Sequence, residues 1–509
     1  MNFKLNKLVL ASLTGSFLLG FGANAMADST FDLVQALVTK GVLTEEEALP
    51  LLKGRENDLQ IADKKVKKAA KLSISDAVDS ATLYGDMRVR EEYRKGSGGF
   101  SGSGVGLVNA DESRNRYRGK MTLGVKTESG DWYSDLALTV GGAGRTDNFT
   151  FGGNSNNGTG TSNAAGTSLS DKPQLNLKRA MIGWKALDWL TVEAGLMANP
   201  LYTTPMVWDA DLTVTGLAEK VSYPVGLGDM FGNFLQMTYT GDRRRDDPSN
   251  TAADITTPTN ELLVFQGGYR YPFNSTTSAK AAITYYNYTH GDTGANTLAF
   301  NNHGVFAPGL GNAAITAVGT TGAYASQSGV NNLEILEIPA EANWMVTNSI
   351  GLRAYGDYAI NLDADARANA AASIPGTSAT TAATYRGANG DDTAWLLGFV
   401  VGKANDLKSF ESNKLVKGDW QARIWYQEVG VYSLDPNTPD SDFFDSRVNM
   451  KGVVVKGQYN FTDNVYTNVA YGHAKRKNNS VGATYSAGND IGLNLNDFDL
   501  FQLDLTYKF

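Results

Sequence analysis

The chain has 509 residues, of which 42% are hydrophobic, 19% are charged and none is cysteine. A single water-soluble core rarely exceeds about 300 residues, so the length indicates several domains or an architecture without one compact core. The lack of cysteine excludes disulfide frameworks, iron–sulfur clusters, thiolate zinc sites and cysteine nucleophiles. A net charge of −8 argues against nucleic acid as a partner, and three scattered histidines offer little material for a metal centre.

Residues 1–27 have the features of a signal peptide. Lys4 and Lys7 precede an apolar stretch over 8–21, and Ala25-Met26-Ala27 is a cleavage site of small residues. The apolar stretch is too short and too rich in glycine and serine for a membrane anchor. No later segment offers the ~18 consecutive apolar residues of a spanning helix. We therefore expect export and cleavage between Ala27 and Asp28.

Residues 28–80 are predicted to form a short helical segment in the periplasm. Apolar residues recur at helical spacing from Phe31 to Val38, and Thr44 with Glu47 forms a capping box that opens a second helix. The segment is too short for a large core of its own. It is expected to precede a larger domain over 81–509.

From about residue 82 the hydrophobic period changes from 3.6 to 2 and stays so to the last residue. Two of the alternating stretches, 174–185 and 331–345, are less regular than the others, and either bulges or strand limits other than these are expected there. The stretches number about sixteen and lie near 83–90, 114–126, 131–142, 174–185, 190–198, 216–223, 231–241, 260–270, 277–290, 331–345, 349–361, 392–403, 420–431, 446–459, 464–475 and 498–509.

Short connectors alternate with long ones that are rich in Gly, Asn, Ser and Thr, and only the connector over 404–419 departs from this order. Short turns at one end and long loops at the other are typical of an outer-membrane barrel. In lipid only helices and closed barrels pair every backbone group. The sequence therefore predicts an all-β, transmembrane, antiparallel, up-and-down β-barrel. With about sixteen strands its interior is wide enough for an aqueous channel.

One face of the stretch 114–126 is basic and the other is apolar. Exposing arginine or lysine to lipid at the midplane costs about 2–4 kcal/mol per residue, so the basic face is expected to line the lumen. Together with the preceding strand it would form a positive wall that favours anions, partly offset by nearby acids. The predicted pore-lining residues are Asp86, Arg88, Arg90, Arg114, Arg116, Arg118 and Lys120.

The last strand ends in a stripe of apolar and aromatic residues. Polar residues occupy the alternate positions, and the chain stops at a phenylalanine. This ending resembles the recognition signal of outer-membrane barrels, which implies the barrel assembly machinery as a partner. The predicted assembly signal comprises Phe501, Leu503, Leu505, Tyr507 and Phe509.

Two strings carry a family resemblance. Residues 195–216 read Gly-Leu-Met-Ala-Asn-Pro-Leu-Tyr-Thr-Thr-Pro-Met-Val-Trp-Asp-Ala-Asp-Leu-Thr-Val-Thr-Gly and resemble the outer-membrane family of putative porins. The string Leu-Val-Thr-Lys-Gly-Val-Leu-Thr-Glu-Glu-Glu-Ala over 37–48 is similar to that family and to the phosphate-selective porins. The chain departs from the family at Leu201, where an aromatic residue is expected, and at Val214 and Thr215, where Pro-Glu often stands. The resemblance implies passive diffusion of small hydrophilic solutes, usually through a homotrimer.

The first of these strings also contains a candidate constriction. Trp208, Asp209 and Asp211 could fold inward and place carboxylates in the lumen. The alternative is a capping role at the rim, in which the aspartates bond local amides. A second acidic stretch, 435–442, has oxygen-rich spacing but lacks the glycine and glutamate of a calcium loop. An acidic surface loop is expected there.

Two further function classes stay open: a substrate-selective channel of the anion or phosphate type, and a surface adhesin or receptor that acts through the long loops. A hydrolase would need an activated serine, and the sequence marks none. We expect no enzymatic activity, no cofactor and no bound metal. The expected surroundings are outer-membrane lipid and lipopolysaccharide.

Overall fold

The computed structural model describes residues 78–100, 108–141, 147–151, 173–240, 243–245, 255–257, 260–289, 333–372, 379–414, 416–436, 438–443, 447–481, 491 and 494–509. Within these ranges most residues lie in β-strands. The predicted signal peptide over 1–27 and almost all of the predicted helical segment over 28–80 lie outside the described residues.

The strands are β1 (Ser80–Phe100), β2 (Val108–Ser129), β3 (Trp132–Gly141), β4 (Phe149–Thr150), β5 (Gln174–Leu187), β6 (Leu190–Ala198), β7 (Thr213–Val225), β8 (Gly228–Thr240), β9 (Arg243–Arg245), β10 (Ile255–Thr257), β11 (Asn260–Asn274), β12 (Thr277–Tyr288), β13 (Glu334–Thr347), β14 (Ile350–Asn361), β15 (Thr393–Lys403), β16 (Trp420–Val429), β17 (Met450–Asn460), β18 (Val465–Arg476) and β19 (Asn494–Lys508). The helices are α1 (Ala364–Ala372), α2 (Ala379–Gly387) and α3 (Leu407–Glu411).

Sixteen of these strands close into one antiparallel barrel. Each barrel strand pairs with its neighbours in chain order, and β1 pairs with β19 to complete the ring. β4 pairs with β2, and β9 and β10 form a separate hairpin between β8 and β11. Each predicted alternating stretch falls on one barrel strand, so the predicted fold class is confirmed.

Both irregular stretches deviate from ideal pairing, with a bulge in the first and an interrupted ladder in the second. In β5, Arg179 pairs with Ala137 and Leu177 pairs with Leu138, so Lys178 is the extra residue of a bulge. The ladder between β12 and β13 is interrupted around Pro339, which has no N–H to donate. The local loss of alternation in the sequence therefore has a backbone cause in both strands.

The connector over 404–419 is long because it contains α3. Asp406 caps this helix by accepting a hydrogen bond from the Ser409 N–H at 2.7 Å. The ring of Phe410 is buried beside Gly351 of β14, where a larger residue would overlap it. Arg353 donates to the Phe410 and Glu411 carbonyl oxygens at 3.2 and 3.1 Å. The connector is thus a folded cap on the barrel wall rather than an open loop.

Alternate side chains separate an apolar outer face from a polar inner face. On β19 the outward residues are 38–53% exposed, while Gln502, Asp504 and Thr506 between them are at most 5% exposed. Exposed aromatic residues recur near the end of the barrel at which short turns join the strands. This distribution matches the aromatic girdle of a membrane barrel. These residues include Trp132, Trp184, Tyr223, Phe273, Trp420, Tyr459, Phe461, Tyr507 and Phe509. In the described part of the chain, no helix is long and apolar enough to cross a membrane.

Aromatic rings cover glycines on neighbouring strands. A side chain at Gly124 would overlap the ring of Tyr84, and one at Gly183 would overlap the ring of Tyr133. These rings fill the space that each glycine leaves and pack one strand against the next.

Candidate pore constriction

The 199–212 loop between β6 and β7 lies against the inner face of the barrel. Thr203 Oγ1 donates to Glu337 Oε1, and Thr204 Oγ1 donates to Asp357 Oδ2, both at 2.5 Å. The Tyr202 N–H donates to Gln266 Oε1 at 2.9 Å. Each of these three wall residues is buried and has a more exposed residue on either side of it in its strand, so it faces inward. The loop therefore folds into the ring of strands.

The local sequence favours this inward fold. Asn199 Oδ1 accepts from the Leu201 N–H at 3.0 Å, and the Thr204 carbonyl accepts from the N–H groups of Val207 and Trp208, each at 3.0 Å. These bonds form compact turns around Pro205. The apolar residues Leu201, Met206, Val207 and Trp208 are all buried. Leu201, which departs from the family string, is part of this packed core.

The 430–443 segment after β16 also lies inside the barrel. The Tyr288 hydroxyl donates to Asp435 Oδ2 at 3.2 Å, and Asn361 Nδ2 donates to the Tyr432 carbonyl at 2.8 Å. Phe443 packs beside Gly472 of β18. Since Asp435 is fully buried, the expectation of an acidic surface loop is wrong. Among the described residues, no group of three or more His, Asp or Glu side chains could hold a metal ion.

The two inward segments are hydrogen-bonded to each other. The Asp209 N–H donates to the Thr438 carbonyl at 2.7 Å, and the Asp440 N–H donates to the Pro205 carbonyl at 2.9 Å. The Ser441 N–H donates to Asp209 Oδ2 at 2.9 Å. The 199–212 loop and the 430–443 segment therefore brace each other inside the ring of strands.

Asp209 is the acid at this junction, and it is only 4% exposed. Burial, reinforced by the nearby carboxylates of Asp440 and Asp211, raises its pKa to about 7. Burial and Asp442 also raise the pKa of Asp440, although Lys456 opposes this. Asp211 instead forms an ion pair with Lys120 of β2 at 3.0 Å, which ties the loop to a second part of the wall. Trp208 is buried in the loop core and does not face open lumen.

A cluster of arginines on β1 and β2, named here the arginine cluster, comprises Arg90, Arg94, Arg116 and Arg118 around Glu92. Glu92 is fully buried and forms ion pairs with Arg116 at 2.6 Å, Arg94 at 2.9 Å and Arg118 at 3.4 Å. The positive charges therefore surround a carboxylate on the same inner face.

Two further acids reach the arginine cluster from distant parts of the chain. Arg90 pairs with Asp504 of β19 at 2.6 Å and with Asp442 of the 430–443 segment at 2.7 Å. Burial alone would raise the pKa of Asp442, but the guanidinium groups of Arg90 and Arg94 hold it well below its usual range. The cluster thus anchors the 430–443 segment to the wall.

The remaining predicted pore-lining residues lie on the inner face beside this cluster. Arg88 donates to Asn148 and lies 3.7 Å from Asp504. Arg114 pairs with Glu112 at 3.7 Å, and Lys120 pairs with Asp147 at 3.1 Å. Asp86 is half-buried on β1. Sequence reasoning missed Glu92, although it shares the inward parity of Arg88 and Arg90.

The C-terminal residue closes the ring. The Phe509 N–H donates to the Gly85 carbonyl at 3.0 Å, and the Gly85 N–H donates to the Phe509 carbonyl at 2.9 Å. The ring of Phe509 covers Gly85 on the outer face, where a side chain would overlap it. Phe501, Leu503, Leu505 and Tyr507 extend the same outward stripe along β19. The role of this stripe as an assembly signal stays a prediction.

Several solved structures are similar to the barrel, at low identity. Salmonella typhi OmpF in complex with daunomycin is 11% identical, covers 86% of this chain and 100% of its own, and has a TM-score of 0.41. The high-pH structure of Pseudomonas putida OprB is 13% identical, covers 84% and 94%, and has a TM-score of 0.41. The outer-membrane channel DcaP of Acinetobacter baumannii is 11% identical, covers 86% and 99%, and has a TM-score of 0.37.

No curated protein matches the sequence. A family model described as "Putative porin" matches residues 101–509, which is most of the chain and nearly all of the barrel. With the closed ring of strands and its polar inner face, this match identifies the chain as a member of the putative porin family, whose barrels form outer-membrane channels for the diffusion of solutes.

Proposed function

We propose that small hydrophilic solutes and ions cross this barrel by passive diffusion past a constriction made by the 199–212 loop and the 430–443 segment. The observation that carries the proposal is the hydrogen bonding of Asp209 to Thr438 and Ser441 inside the ring of strands. A sixteen-stranded barrel has an aqueous interior. Two segments that meet within it narrow the path and set an upper size for the solute.

The charge of the wall supports general diffusion over strong anion selection. Four arginines form the arginine cluster, and Glu92, Asp442 and Asp504 lie among them. Most of the positive charge is therefore compensated before a solute meets it. Asp86, Arg88, Arg114 and Lys120 complete the proposed lining, and Trp208, Asp209 and Asp211 are assigned to the constriction. The uncompensated positive charge gives a modest preference for anions, which is largest at low salt.

The family membership and the outward stripe on β19 also support a location of the channel in the outer membrane. We assign the chain to the outer membrane as a homotrimer in contact with lipid and lipopolysaccharide, inserted by the barrel assembly machinery after the signal peptide is cleaved between Ala27 and Asp28. We assign it transport and no catalysis.

Single-cysteine labelling tests the constriction, because the chain has no cysteine of its own. Ala210 is exposed and lies beside Asp209 in the 199–212 loop. Labelling the Ala210→Cys variant with a bulky, charged thiol reagent should lower single-channel conductance in planar bilayers by several-fold. Ala366→Cys, at an exposed position of α1, is the matched control and should conduct almost as before.

Mass spectrometry must show complete labelling of both variants before their currents are compared. Unchanged conductance of fully labelled Ala210→Cys protein would place the narrow point elsewhere. Reversal potentials measured on the same preparations report the ion preference and separate weak from strong anion selection.

A further inference from the structure

Two acids lie together on the inner wall where the 199–212 loop docks. Glu337 of β13 and Asp357 of β14 have side chains within hydrogen-bond reach of each other. Glu337 is 0% exposed and Asp357 is 4% exposed. The pair is therefore shielded from water by the wall on one side and by the loop on the other.

Three hydroxyl oxygens lie beside the pair, and the backbone N–H groups of Thr204 and Tyr358 also donate to Asp357. Thr203 Oγ1 lies 2.5 Å from Glu337 Oε1, Thr204 Oγ1 lies 2.5 Å from Asp357 Oδ2, and the Tyr286 hydroxyl lies 2.5 Å from Glu337 Oε2. These oxygens come from the loop and from β12, β13 and β14. Four separate stretches of chain thus converge on one small, oxygen-lined space.

The pair has no cation to balance it within the described chain. Neither Glu337 nor Asp357 forms an ion pair with a lysine or arginine of the described residues. Asp357 Oδ1 is buried and has no hydrogen-bond partner there. Burying two adjacent carboxylates is costly unless a proton or a cation neutralises them. The arginine cluster is too far along the ring to do so, since it lies on β1 and β2.

We propose that Glu337, Asp357 and the hydroxyls of Thr203 and Thr204 bind one divalent cation of the calcium type. Calcium accepts irregular sets of oxygen ligands and carboxylates in either binding mode, whereas magnesium demands octahedral geometry and keeps several waters. The absence of nitrogen and sulfur ligands from this set disfavours zinc and copper. Asp357 Oδ1 is the oxygen that the cation would satisfy.

The bound cation would clamp the 199–212 loop to the β13–β14 wall. Without it the two threonine hydroxyls still hold the loop, but the carboxylates must share a proton. Binding therefore links calcium concentration to the mobility of the loop. This inference concerns how the loop is held, and it stands whichever solutes cross the channel.

Equilibrium dialysis of the detergent-purified full-length protein against calcium tests the site. The wild-type protein should bind one more calcium ion per chain than the Glu337→Gln, Asp357→Asn double variant. The matched control is Glu341→Gln, which removes an inward carboxylate of the same strand that lies 3.8 Å from Arg353. The control should bind calcium like the wild-type protein. Equal binding by wild-type protein and the double variant overturns the proposal.

A second measurement does not depend on acidic variants that could misfold. Calcium should raise the temperature at which wild-type protein loses its folded electrophoretic mobility, and a chelator should reverse the shift. Replacing the loop ligands in Thr203→Val, Thr204→Val protein should abolish the shift. An identical shift in that variant, or none in the wild-type protein, means that the carboxylates share a proton instead.

Discussion

Two aspartates inside this barrel, one buried and one partly exposed, differ because of the charges around them. Asp209 is surrounded by other acids, and its pKa rises to about 7, whereas Asp442 faces arginines and its pKa falls well below the usual range. Asp209 accepts a hydrogen bond from the Ser441 N–H, and Asp442, the next residue after Ser441, pairs with the side chain of Arg90. The first is a site where protonation near neutral pH matters, and the second is a fixed anchor.

Docking between the two inward segments should weaken as the pH rises. The pKa of Asp209 is raised in the docked state, so its contribution to docking is fully present below the unfolded pKa of ~3.9 and is lost as the pH rises through about 7. We expect more open-channel current noise at pH 8 than at pH 6. Asp209→Asn should remove most of this difference, whereas Asp229→Asn, at an exposed site, should keep it. Equal noise of the wild-type channel at both values would contradict the assignment.

The arginine cluster depends on Glu92 for its neutrality. Replacing one partner of a buried ion pair typically costs about 3–5 kcal/mol. Glu92→Gln should therefore lower the unfolding temperature and move the reversal potential toward anions at low salt. Glu112→Gln, which removes one partner of the more exposed Arg114, should cause a smaller change in both. If Glu92→Gln leaves selectivity unaltered, the solute path does not pass the cluster.

At the scale of the elements, the strands were predictable and the inward segments were not. Alternation is imposed on every spanning strand because one face meets lipid and the other meets water, so each stretch reveals itself locally. The irregularities at Lys178 and Pro339 were also visible in the sequence, as a local loss of hydrophobic alternation. The fold of the 199–212 loop instead depends on β13 and β14, more than a hundred residues away. The ion pair between Arg90 and Asp504 also joins residues that are far apart in the chain. The sequence alone therefore overestimates the net positive charge of the wall.

Packing of rings over glycines should be sensitive to single methyl groups. Gly183→Ala would place a methyl group in the ring of Tyr133, which also donates a hydrogen bond to Glu193 at 2.6 Å. Overpacking of this kind typically costs about 1–3 kcal/mol. We expect a lower unfolding temperature for Gly183→Ala and little change for Gly267→Ala, where a methyl group meets no atom within 4 Å. Similar losses for both glycines would mean that backbone flexibility, not ring packing, is the cause.

For the whole molecule, the decisive contact is the seam between β1 and β19. The register aligns Asp86 with Lys508 and continues to Gly99 with Asn494, with one irregularity beyond Ser97. This seam joins the first and the last described strands. Every other pairing in the ring joins barrel strands that follow one another along the chain, with only the short strands β4, β9 and β10 lying between some of them.

Removing the last residue should reduce the amount of assembled barrel. Phe509 supplies two backbone hydrogen bonds and a ring to the seam, and it ends the outward stripe of β19. We expect deletion of Phe509, and to a lesser degree Phe509→Ala, to lower the heat-modifiable protein recovered from the outer membrane. Lys508→Ala, whose exposed side chain is adjacent, is the control. Full recovery after the deletion would show that neither the seam contact nor the stripe requires this residue.

The position of that seam also sets an order of events in time. Gly85 can pair with Phe509 only after the chain has been made and exported as far as Phe509, more than four hundred residues later. Until then the backbone groups on one edge of β1 have no strand partner, while the residues between are made and exported. The hairpins with short turns between β1 and β19 can form early. None of them can close the ring, because closure requires β19 to pair with β1. A chain truncated before β19 lacks the strand that closes the ring on β1, so its sheet would keep two unpaired edges that favour aggregation over a smaller pore.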